Sequence, residues 1–134
     1  MYDAKYYISD VLRSENKDYN GMLRRIETVD NIRLLHGGMG ISTEAGELLD
    51  ALKKHIFYGK KLDYVNISEE LGDILYYISI CMNVLGISFE EVMEKNIEKL
   101  KARYPEKFTE DKAINRDLDT ERKILENDQI PKSE

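Results

Sequence analysis

An all-α fold is what this sequence predicts, and three observations carry the prediction. Two prolines and eight glycines in 134 residues, with 34% charged residues and many Leu, Ile, Glu and Lys, favour helices over turn-rich β structure. Apolar residues recur at spacings of three and four along most of the chain, the period of one helix face. A length of 134 residues encloses about one modest core and not two, so helices packed as a single antiparallel bundle are the expected architecture.

The elements follow in order. Tyr6, Tyr7, Ile8, Val11 and Leu12 make a short amphipathic pattern over residues 2–13, and Met22, Leu23, Ile26, Val29, Ile32 and Leu35 make a second; both read as supporting helices. Gly37, Gly38 and Gly40 are expected to loosen the chain before a first central helix marked by Ile41, Ala45, Leu48, Leu52 and Ile56. Gly59 and the polar stretch to Asp63 end it. A second central helix carries Ile67, Leu71, Ile74, Ile78, Met82 and Leu85, and the short connection makes the two antiparallel neighbours. Gly86 stops the second helix, Ser88-Phe-Glu-Glu91 has the form of a capping box, and a third helix runs through Val92, Met93, Ile97 and Leu100 to Pro105. Beyond Phe108 the chain is highly charged. No boundary divides residues 1–134, and the bundle core spans about 20–108, with a docked helix at 109–126 and a frayed tail at 127–134.

Composition also excludes some roles. The net charge of −6 argues against nucleic acid as a partner, because phosphate backbones attract basic surfaces. A small phosphate ester remains open to an acidic chain if divalent metal neutralises its carboxylates. Cys81 is the single cysteine, flanked by Ile80 and Met82, and reads as a small buried hydrophobe. The richest apolar run, Ile74 to Leu85, falls short of the roughly 20 residues that span a bilayer, and no leader pattern opens the chain; no membrane partner and a cytoplasmic location are expected.

The chemistry lies in an internal repeat. Ile41-Ser-Thr-Glu-Ala-Gly-Glu-Leu-Leu49 matches Ile67-Ser-Glu-Glu-Leu-Gly-Asp-Ile-Leu75 at a shift of 26, pairing Glu44 with Glu70 and Glu47 with Asp73. On each helix the two acids are three apart and share a face, at the same phase relative to the apolar stripe. An antiparallel pair then brings four carboxylates to one rim of the interface. Their mutual repulsion asks for a hard divalent cation, which Mg²⁺ satisfies with oxygen ligands, waters and phosphates. Gly46 and Gly72 occupy equivalent positions in mid-helix, each at a cost of about 1 kcal/mol, and are expected to admit a close neighbour or ligand. Most glutamates merely solvate a helix flank, and a lone Glu-x-x-Glu would be read that way.

Glu44-Ala-Gly-Glu47, a spacer of 22 residues and Glu70-Leu-Gly-Asp73 resemble the signature of the MazG-like all-α nucleoside triphosphate pyrophosphohydrolases. The likeness extends over roughly 32–108, including His36, Lys53-Lys54 and Asn96-Ile-Glu-Lys99-Leu-Lys-Ala-Arg103-Tyr104-Pro105. It implies conversion of an NTP or dNTP to the monophosphate and pyrophosphate, with Mg²⁺, or Mn²⁺ in its stead, held by Glu44, Glu47, Glu70 and Asp73. Glu44 or Glu47 would serve as general base. Asn96, Lys99 and Arg103 fall on one stripe of the third helix and are candidates to hold phosphate, with Lys54 and His36 as weaker substrate-binding candidates. Tyr76 and Tyr77 read as core rather than as a nucleobase stack. With half a site on each central helix and little chain to cover them, a homodimer or homotetramer is expected. The nearest rivals are a relative specific for dUTP or phosphoribosyl-ATP, and a non-catalytic helical module that binds metal structurally.

Overall fold

Each apolar stripe forms a helix, and small polar residues between the stripes set the ends. The structure is a computed structural model and describes residues 4–126; among these there are seven helices and no strand. They are α1 (Ala4–Ser14), α2 (Tyr19–Ile26), α3 (Val29–Tyr58), α4 (Tyr64–Leu85), α5 (Phe89–Arg103), α6 (Glu110–Ile114) and α7 (Leu118–Glu126). The tail expected to fray, 127–134, lies outside the described residues. No single helix among them is long and apolar enough to cross a membrane.

The first central helix is longer than its apolar pattern foretold. The expected loosening at Gly37, Gly38 and Gly40 does not occur; Thr28 caps an unbroken helix of 30 residues, about 45 Å long, with its side chain accepting from the Asn31 N–H at 3.2 Å. Gly37 and Gly40 are buried because α4 passes directly over them. A Cβ at residue 40 would collide with the Tyr77 ring, and one at residue 37 would collide with Cys81 Sγ and stand 3.1 Å from the Tyr77 carbonyl oxygen. These glycines therefore trade helix propensity for close approach of two helices.

The connection is built to reverse the chain. Gly59 adopts a left-handed φ of 66°, and the Lys60 N–H reaches back to the Lys54 carbonyl at 3.2 Å, closing the end of α3. Asp63 then caps α4 by accepting from the N–H groups of Val65 and Asn66. Gly86, also at φ 66°, ends α4, and the expected capping box opens α5: Ser88 Oγ accepts from the Glu91 N–H at 3.1 Å while Glu91 accepts from the Ser88 N–H at 2.7 Å. The axes of α4 and α5 differ by 95° at this turn, so α5 leaves the α3–α4 pair instead of returning along it.

The docked C-terminal helix arrives as two pieces, because Asn115 ends α6 and Asp117 starts α7 by accepting from the Thr120 N–H. α7 packs on α5 through a buried charge cluster. Arg103 donates twice to Glu121, at 2.7 and 2.6 Å, and Arg116 donates to the same carboxylate at 2.6 Å. Glu121 is 4% exposed, and the guanidinium of Arg103, then that of Arg116, holds its carboxyl down to about 2.

The modest core expected of a chain this size is barely present in one copy. Met82 is the sole buried large hydrophobic among the described residues, while Leu49, Ile56, Leu71, Leu75, Val92, Met93 and Ile97 are all exposed. The accessible surface is 11436 Å², against about 7,200 Å² for a compact chain of this mass. Tyr76, expected in the core, is 60% exposed, and Cys81 is half-buried.

Two consequences can be measured. At fixed protein concentration, Gly40→Ala is expected to lower unfolding stability by about 1–3 kcal/mol through overpacking against Tyr77. Gly38→Ala, which meets nothing within 4 Å, is expected to raise it by up to about 1 kcal/mol. Because the Glu121 pKa is depressed by folding, its contribution is complete above the ordinary glutamate range near 4.5 and is lost as pH falls towards about 2. Thermal unfolding followed between pH 5 and 2 should therefore decline more steeply for the native chain than for Glu121→Gln, which starts lower and lacks this titration.

Candidate metal centre

The glycine contacts set the register that builds the site. Arg33 donates to Asn83 at 2.7 Å, residue 37 lies against 81, and residue 40 lies against 77. Continuing down the antiparallel pair brings Glu44 to Glu70, as the repeat anticipates. Carboxylate oxygens of Glu44, Glu47 and Glu70 lie within 4.8 Å of one another. Glu70 is 5% exposed and accepts from Asn66 Nδ2 at 2.7 Å, which fixes one of its oxygens. Glu44 is half-buried and Glu47 is exposed.

This donor set suits a hard divalent ion. Oxygens at neighbouring positions of an octahedral Mg²⁺ would stand about 3.0 Å apart, so from within 4.8 Å of one another the flexible glutamate side chains would close by up to about 2 Å to share one ion. The electrostatics points the same way. Partial burial, then repulsion from Glu47, Asp73 and Glu70, with a hydrogen bond to Glu70, raises the Glu44 carboxyl above its usual range. A cation would relieve that repulsion. Asp73 is near enough to act on Glu44, but it is exposed and its oxygens are not among the clustered three.

Beside the cluster opens a cavity of about 550 Å³ between α3, α4 and their connection. Glu47 and Glu70 line one part of it, and Asp50, Lys54, Lys60, Lys61 and Asp63 line the rest. Asp50 bonds Lys54 at 2.6 Å and Lys53 at 2.9 Å, and the two ammoniums hold its carboxyl down to about 2. Lys54 thus lines the cavity but is already paired.

The remaining candidates stand elsewhere. Asn96, Lys99 and Arg103 do not line this cavity, because the turn at Gly86 carries α5 away from the pair. Arg103 is in addition committed to Glu121, so a phosphate would have to displace a nearly buried carboxylate to reach it. His36 lies within α3 rather than ahead of it, exposed, with its ring edge-on to Tyr77 at 5.6 Å. Gly46 and Gly72 admit no close neighbour in this chain; nothing stands within 4 Å of a Cβ built at either. Asn66 was missed by the sequence reading. Its signal was available, since it sits four residues before Glu70 on the same face of α4.

The family model for the MazG nucleotide pyrophosphohydrolase domain matches residues 38–108, over half of the chain and including all four repeat acids. The chain therefore belongs to this family: it is a nucleotide pyrophosphohydrolase, a hydrolase acting on phosphoric anhydrides, of a family generally dependent on divalent metal. Neither the curated proteins nor the solved structures gave a match.

The bond from Asn66 can be tested directly. Removing an outer partner of a metal ligand typically costs about 10–100-fold in affinity, and Asn66→Ala is expected to weaken Mn²⁺ binding by that amount in calorimetry.

Proposed function

We propose that the protein hydrolyses nucleoside or deoxynucleoside triphosphates to the monophosphate and pyrophosphate, using Mg²⁺ held by Glu44, Glu47, Glu70 and Asp73. The observation that carries this reading is the convergence of Glu44, Glu47 and Glu70, three of the four repeated acids, on one cluster at the mouth of a cavity that also holds three lysines. Divalent metal, when bound, offsets phosphate charge and lowers the pKa of water. Glu44 or Glu47 takes the proton from the attacking water, which adds to the α-phosphorus as the bond from that phosphorus to the bridging oxygen breaks and pyrophosphate leaves. Glu70, oriented by Asn66 and shielded from solvent, anchors the cluster against α4.

A single copy leaves this site uncovered, and the exposed apolar faces of α3, α4 and α5 support assembly as a homodimer or homotetramer. In such an assembly a neighbouring copy would supply Asn96 and Lys99 to the phosphates, since the copy's own α5 is directed elsewhere.

Incubating the protein with NTPs and dNTPs plus Mg²⁺, with pyrophosphate and orthophosphate measured separately, tests the reaction. Pyrophosphate release is expected from the native chain and is expected to be abolished in Glu70→Gln. Orthophosphate as the first product, or unchanged turnover in Glu70→Gln, would refute the assignment. Light scattering at micromolar concentration is expected to give the mass of two or four chains.

A further inference from the structure

We infer that Lys60 and Lys61, in the turn between α3 and α4, bind the two phosphates that depart as pyrophosphate. This rests on the reading above and adds to it a direction: the α-phosphate lies at the carboxylates and the outer phosphates point to the turn.

The acidic cavity poses the problem that these lysines answer. A chain of net charge −6 receives a polyanion beside clustered carboxylates, and metal at the cluster offsets charge only at that end. At the other end the charges differ in how far they are already used. Asp50 is paired with both Lys53 and Lys54, so Lys54 is drawn towards a carboxylate. Asp63 spends its oxygen on the N–H groups that start α4. Neither the Lys60 nor the Lys61 ammonium has a partner among the described residues, and both line the cavity.

Their backbone is fixed where it matters. The Lys60 N–H is bound to the Lys54 carbonyl, and the Lys60 carbonyl is 2.8 Å from His55 Nδ1, with Gly59 in its left-handed conformation just before. The stems therefore start from a set position, while the flexible chains deliver point charges to oxygens that vary in place between substrate and product. Two ammoniums placed there hold the outer phosphates of the bound substrate and the same two phosphates when they depart as pyrophosphate.

The test compares the native chain with Lys60→Gln/Lys61→Gln and with Lys101→Gln/Lys107→Gln, which removes equal charge from exposed sites outside the cavity. Calorimetry reads binding of inorganic pyrophosphate with Mg²⁺ present and of Mn²⁺ alone; steady-state kinetics reads KM and pyrophosphate inhibition. Loss of the turn lysines is expected to weaken pyrophosphate about tenfold or more, the loss of at least one charge-assisted bond, and to raise KM similarly. Mn²⁺ binding stays as in the native chain, and the control double variant keeps native pyrophosphate affinity. An active native enzyme whose turn variant binds pyrophosphate undiminished, or whose control variant loses as much, overturns the assignment alone. A native chain that releases no pyrophosphate from any triphosphate overturns both this assignment and the reaction it serves.

Discussion

The close crossing of α3 over α4 at Gly37 and Gly40 is the constraint on which the site depends. Side chains at those two positions would hold the helices apart and leave no room for Tyr77 and Cys81. With hydrogen alone at both, the helices meet, and the meeting point fixes which residue faces which along the rest of the pair. Helical geometry then places Glu44 one turn beyond Gly40 and sets it against Glu70. The clustered carboxylates are thus positioned from a distance by two residues that carry no functional group.

That dependence explains why a weakly buried chain can still present an ordered acid cluster. Few apolar side chains are removed from water in one copy, yet the α3–α4 pair is clamped at the glycines, at the Arg33–Asn83 bond and at the capped turn of Gly59 to Asp63. Repulsion among the carboxylates works against this clamp, and it adds to the partial burial that raises the Glu44 carboxyl above its usual range. A bound cation would offset that repulsion, so the helices that bring the acids together prepare the cluster for an ion at some expense of stability.

Much of this was legible in the residues. The 26-residue repeat, the phase of the acids, the antiparallel pairing and the Ser88–Glu91 box all rest on local periodicity, which survives folding unchanged. The glycines misled, because flexibility was read where the structure uses the absence of a side chain; periodicity cannot distinguish a glycine that breaks a helix from one that lets another helix in. The course of α5 was equally hidden. Three residues on one stripe of a helix can face a site only if the helix turns towards it, and the 95° bend at Gly86 is a property of the turn, not of the stripe. Asn66 was readable from its spacing, but an amide beside two acids gave no reason to look.

The clasp of Glu121 on Arg103 also bears on what counts as a unit of this protein. The segment recognised as the family domain ends at residue 108, whereas the carboxylate that neutralises its Arg103 lies on α7, thirteen positions further on. A segment cut at the edge of the recognised region would keep the guanidinium and lose its counter-charge, together with the bidentate bond that orients it. Modularity in sequence and self-sufficiency in charge therefore have different borders here. Transplanting the nucleotide-hydrolysing helices into another scaffold would mean carrying α7 along, or supplying an acid in its place.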